Sequence, residues 1–169
     1  MNKKRSIGIV EILSLSIIIT LLIIITVPNV SKIVKNFKKD LFVNYIENIS
    51  DLGEKVYLKS SSDKDASIHV YEIGKDFHEV GLAQNDDVKG YLVVDSREIN
   101  NIKYYLFVHD NDFQIVNKDI SYKKVSRDNL ESYNKAYWLN VNSAYQACRV
   151  IEPDTSYNCL NKKGYIIAQ

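Results

Sequence analysis

A carboxylate, Glu11, sits four residues into the run IGIVEILSLSIIITLLIIITV, residues 7 to 27. A charged side chain near the centre of a bilayer costs about 2.5–3.5 kcal/mol, and less when it is paired or close to a helix end. Two chemistries follow. Either Glu11 reaches the interface along its own methylenes, or it has a specific cationic partner. Cys148 and Cys159 are the only cysteines, and they enclose ten residues that include Pro153 and Asp154. In an oxidising compartment a bridge there would contribute about 2–3 kcal/mol. Two free thiols are the alternative, and the spacing does not suit zinc, which takes closer Cys or His pairs.

Other polar groupings point to turns rather than sites. His109, Asp110 and Asp112 have cation-binding side chains, but Asp and Asn favour a hairpin tip on their own account. Asp86 and Asp87 are of the same kind. His69 and His78 lack a spaced third ligand, and no nucleophile–base grouping is visible. Trp138, with Tyr133, Tyr137 and Tyr145, suits either an adhesive aromatic surface or a packed core. There is no phosphate loop and no dinucleotide fingerprint. The expectation is a chain that is not an enzyme, with no catalytic residue, cofactor or metal. Taking Lys3, Lys4, Arg5 and Glu11 away from 22 basic and 21 acidic residues leaves 19 against 20. Such a balanced body gives no electrostatic case for nucleic-acid binding.

The elements that must position these residues fall into consecutive segments. Residues 1 to 6, MNKKRS, are polar and basic. The 21 residues from Ile7 to Val27 match the roughly 20 needed to cross a bilayer. The basic flank predicts a cytoplasmic N-terminus, with residues 28 to 169 on the far side. A removed signal peptide fits poorly, because the run exceeds the usual apolar region of about 7–15 residues and TVPNVSK offers no small-residue cleavage site. Beyond Pro28, Val30, Ile33, Val34, Phe37, Leu41, Tyr45, Ile49, Leu52 and Val56 recur at helical spacing among lysines and acids. This predicts an amphipathic helix joined to a membrane helix across a proline that kinks or loosens it. If helical throughout, residues 7 to 58 would span about 78 Å.

The rest reads as a small sheet. Residues 59 to 65 read as a loop, Ile68 to Ile73 as a strand or short helix, and 74 to 90 as irregular. Tyr91 to Asp95 reads as a strand, and Tyr104 to His109 with Phe113 to Asn117 as a hairpin. Ser126 is a candidate N-cap for a short helix over 126 to 134, and Tyr165 to Ala168 reads as a final strand. The fold class is α+β, a long helix on a small antiparallel sheet.

The segment KRSIGIVEILSLSIIITLLIIITVPNV resembles the N-terminus of type IV pilins and type II secretion pseudopilins. That family has a short basic leader, a motif like KGFTLIEL, a Glu at the fifth residue after the cut and a Pro 17 residues further on. Aligned on Glu11, the cut falls between Ser6 and Ile7, and Pro28 falls on the family's proline without a gap. Ser6 stands where the family has Gly, and Ile7 where it usually has Phe. A cut after Gly8 would make Glu11 the third mature residue and break the spacing. The likeness covers residues 1 to about 58.

The resemblance implies a leader over 1–6, a membrane and filament-core helix over 7–28, its amphipathic continuation over 29–58 and a pilin-like head over 59–169. It implies prepilin peptidase as processing partner, an N-methylated Ile7, an assembly platform and self-association into a filament. It also implies that Glu11 of one subunit neutralises the Ile7 amine of a neighbour. The Cys148–Cys159 segment resembles the Cys-bounded C-terminal loop of many pilins. Localisation would be the bacterial cytoplasmic membrane, then an extracytoplasmic or cell-surface filament, in a pilus, competence or secretion assembly. A single-pass anchored binding module is the alternative, although an anchor does not need Glu11, Pro28 and an amphipathic continuation together.

Overall fold

The computed structural model describes residues 8–60, 67–98, 100–121 and 125–169. The chain divides into two compact units, residues 1–38 and 39–169. The first holds the greater part of α1, the helix Ile9–Lys59, which passes through Pro28 without a break. Every Ile, Leu and Val from Ile9 to Val34 is exposed. Among the described residues, this is the one helix long and apolar enough to cross a membrane, and it lies near the N-terminus.

The second unit has an α+β layout. Its strands are β1 (Ile68–Glu72), β2 (Lys89–Asp95), β3 (Lys103–His109), β4 (Phe113–Asp119), β5 (Glu131–Ser132) and β6 (Cys159–Leu160). They form one sheet in the order β5-β4-β3-β2-β1-β6. The hairpin expected over residues 104 to 117 is β3–β4. Asp110 Oδ1 accepts from the amides of Asp112 (2.7 Å) and Phe113 (2.6 Å) and so fixes its turn.

Alternation along the strands sends side chains to opposite faces. Tyr71, Leu92, Val94, Leu106 and Val108 join one core with Phe42, Ile46, Ile49, Val56 and Tyr57 of α1. Ile68, Val70, Val93 and Phe107 point the other way, toward Trp138, Val141, Ala147 and the two cysteines. α1 comes close to the sheet at Gly53, where an added Cβ would lie 3.2 Å from Leu92 Cδ2. Gly90 is more constrained. Its φ is +153°, and a Cβ would fall 2.0 Å from the Phe107 carbonyl oxygen.

Several expectations need correction. The sheet is not wholly antiparallel, because β6 pairs in parallel with β1. Tyr165 to Ala168 is not a strand; only an isolated bridge links Leu160 and Ile166. Residues 126 to 134 do not form one helix. Ser126 caps a single 3-10 turn over Arg127–Asn129, and the chain then extends into β5. Two turn-formers in that turn, Asp128 and Asn129, and no apolar stripe to bury leave nothing to propagate it. Residues 74 to 90 contain a short helix α2 (Ile73–Asp76), a 3-10 turn (His78–Val80) and the start of β2. Two helices were not foreseen, α3 (Lys135–Asn140) and α4 (Ala144–Ile151), and they cover the second face of the sheet.

Candidate functional site

Glu11 occupies the third helical position of α1, with Gly8 as N-cap. Its Oε2 accepts from the Gly8 amide at 3.0 Å, the reach-back half of a capping box. The Glu11 and Ile12 amides in turn donate to the Gly8 carbonyl, at 3.0 and 3.2 Å. The carboxylate therefore has a role inside its own chain that neither snorkelling nor a remote partner anticipates. It satisfies an otherwise orphan donor and places negative charge at the positive end of the helix.

The other polar side chains of the run turn inward to the backbone. Ser14 and Ser16 donate to carbonyls three residues back, and Thr20, Thr26 and Asn29 to carbonyls four residues back, at 2.6–3.0 Å. These side-chain hydroxyls and the Asn29 side-chain amide are thus bonded within the helix, as an apolar medium demands. Pro28 has no N–H to offer the Ile24 carbonyl. The Asn29 amide group donates beside that gap, to the Ile25 carbonyl. Ser6 and Ile7, where the cut is expected, lie outside the described residues.

At the far end of the chain Cys148 and Cys159 are joined by a disulfide, with Cα atoms 6.3 Å apart. Cys148 sits in α4 and Cys159 in β6, so the bridge ties the second layer to the sheet. Inside the loop it closes, Arg149 gathers backbone. One terminal nitrogen donates to the carbonyls of Glu152 (3.1 Å) and Asp154 (2.6 Å), the other to that of Tyr157 (2.8 Å). Arg97 pins the loop from outside. It pairs with Asp95 and Glu152 and lies 4.9 Å from the centre of the Tyr157 ring.

The remaining sequence candidates separate. His69 is fully buried, with its Nε2 2.7 Å from Ser67 Oγ and its ring against Tyr57 and Tyr71. Asp86 accepts from Gln84, and Asn85 caps the Asp87 amide, which is turn chemistry. His109 is taken up in an aromatic cluster. Its ring is stacked on Tyr133 and tilted against Trp138, with centroids 4.9 and 4.2 Å away. Burial lowers its pKa below 6.5. Among the described residues no three His, Cys, Asp or Glu side chains gather as metal ligands.

Trp138 is buried, and its indole N–H donates to Gln114 Oε1 at 2.9 Å. Gln114, Arg97 and Arg149 escaped sequence reasoning. Only a polar residue at an inward position of a strand hinted at Gln114. No protein-family model, curated protein or solved structure matches the chain.

Proposed function

We propose that this chain is a structural subunit of a filament of the type IV pilin or type II secretion pseudopilin kind, with residues 59–169 as a pilin-like head. One observation carries the reading. Glu11 and Pro28 stand 17 residues apart on a helix whose apolar side chains from Ile9 to Val34 are all exposed, covered by none of the described residues. A membrane anchor needs the apolar side chains alone, whereas a helix that leaves the bilayer for a filament core must also place its charge.

In this proposal prepilin peptidase cuts between Ser6 and Ile7, and Ile7 carries the methylated amine. Gly8 stays on the mature side, so Oε2 of Glu11 keeps its local donor. Oε1, without a partner among the described residues, takes the Ile7 amine of a neighbouring subunit. Burying either charge unpaired would oppose packing of the apolar helices, and pairing offsets much of that penalty.

Mass spectrometry of the mature N-terminus tests the processing step. The expected chain starts at N-methylated Ile7; a start at Met1, or beyond residue 25, overturns the proposal. Glu11→Ala tests assembly: the variant inserts in the membrane but forms no filament, or loses N-methylation. Filaments at wild-type levels with normal methylation would reject the role given to Glu11.

A further inference from the structure

A groove of about 710 Å³ opens on the second unit, within the range of small-ligand sites. Tyr91, His109, Tyr133 and Trp138 line it, with the rim carried by α2, the turn after it and α3. Its aromatic wall is held in place from behind. Gln114 Oε1 accepts from both the Trp138 indole and the Asn134 amide, at 2.9 and 2.8 Å. The Tyr91 hydroxyl donates to the Asn142 carbonyl at 3.2 Å and ties β2 to the α3–α4 turn. Such preformed walls lower the ordering cost of binding.

The charge on the lining is informative. Lys75, Lys89 and Lys135 face Glu72 and Asp86, a surplus of one positive charge. Lys75 lies 3.8 Å from Glu72, and Asp86 accepts from Gln84. Among the described residues neither Lys89 nor Lys135 has a carboxylate partner. Lys89 is the cross-strand partner of His109.

We infer that this groove binds an acidic carbohydrate, a chain of sugar rings carrying carboxylates, with Lys89 and Lys135 taking the acid group. Half-buried Tyr91 and Tyr133 offer an apolar edge to sugar C–H groups. The amides of Gln84, Asn85 and Asn142 can exchange hydrogen bonds with hydroxyls. A single-stranded nucleic acid fits less well. His109 lies between Tyr133 and Trp138, and Trp138 is buried, leaving little platform for successive bases. Glu72 and Asp86 are acceptors for sugar hydroxyls.

The groove lies wholly within residues 39–169, so this inference stands or falls independently of how the N-terminus is processed. Trp138 is the only tryptophan, and it reports from the groove wall. The full chain in detergent micelles is titrated with hexagalacturonate and with a hyaluronan hexasaccharide while Trp emission is followed. A saturable change is expected with at least one of them. Fully methyl-esterified hexagalacturonate and a single-stranded oligonucleotide should give little or none. The double variant Lys89→Gln with Lys135→Gln, both at exposed positions, should weaken binding about tenfold with unchanged circular dichroism. No saturable change with either acidic sugar, or equal affinity in the double variant, overturns the assignment. Tighter binding of the oligonucleotide overturns it in favour of a nucleic-acid site.

Discussion

Arg127 grips Asp40 with two nitrogens, its Nε on one carboxylate oxygen and a terminal nitrogen on the other, across 87 residues of sequence. The pair joins α1 at the start of the second unit to the turn that leads into β5. Both side chains are more than one-third exposed, so solvent screens the attraction. The forked geometry puts it at the upper end for surface pairs. Arg127→Ala should therefore cost about 0.5–1 kcal/mol in urea unfolding of the detergent-solubilised chain. The loss should shrink in high salt, and Arg127→Lys, which cannot make the fork, should recover only part of it.

Gln114 is the costlier residue to remove. It is buried, and its Oε1 serves two donors while its Nε2 donates to Glu131 at 3.1 Å. Gln114→Leu would leave the Trp138 indole and the Asn134 amide unsatisfied. We expect a loss of about 2–4 kcal/mol, from the usual cost of stranded buried donors. Chemical denaturation measures it, and native-state Trp emission should shift at the same time.

Acid should weaken the fold in two stages. Burial lowers the His109 pKa below 6.5, although the Asp110 carbonyl opposes the shift. The unfolded chain then binds that proton more readily, so stability falls as pH drops below about 6.5, until the folded imidazole is protonated too. Burial raises the Asp95 carboxyl, but hydrogen bonds from Arg97 and its charge outweigh this and hold it below 3.8. Its contribution is complete above 3.8 and drains away as pH falls from there through the folded value. Stability measured from pH 8 to 3 should show both limbs. His109→Gln should erase the upper limb, and Arg97→Gln should flatten the lower one.

The Cys148–Cys159 bridge should matter for the second layer more than for the hairpin. Reduction, or Cys159→Ser, is expected to cost about 2–3 kcal/mol for a loop of this length. Hydrogen exchange should rise first at Leu160 and Ile167, whose pairings depend on β6. Amides of β3 and β4, which β6 does not touch, should keep their protection until global unfolding. Equal loosening across all strands would contradict this.

The legible part of this chain was periodic. The run from Ile7 to Val27, the spacing from Val30 to Val56 and the β3–β4 hairpin each leave a pattern within one stretch of sequence. The illegible part depends on residues that meet from afar. α3 and α4 are 6 and 8 residues long, too short for a helical period to stand out from KAYWLN or AYQACRVI. β6 has two residues, and its pairing with β1 rests on a bridge and a neighbouring layer rather than on β propensity. The groove is assembled from residues between Tyr45 and Asn142, so no local motif announces it. His109 shows the limit most directly: read as one corner of a hairpin tip, it proves to be the middle ring of an aromatic stack.

The Arg149 guanidinium has a consequence for engineering. Three of the bonds that shape the loop run from this one side chain at its root to main-chain oxygens, which any residue supplies. Glu152 and Asp154 add side-chain bonds to the amides two residues on, and the Ser156 side chain also bonds to Asp154. Thr155 and Asn158 are exposed and take no part in these bonds. Their identities are decoupled from the loop's conformation. Side chains of choice, a reactive handle or a label, substituted at Thr155 and Asn158 should be displayed in a fixed pose, with Cys148, Arg149, Glu152, Asp154, Ser156 and Cys159 left as the frame.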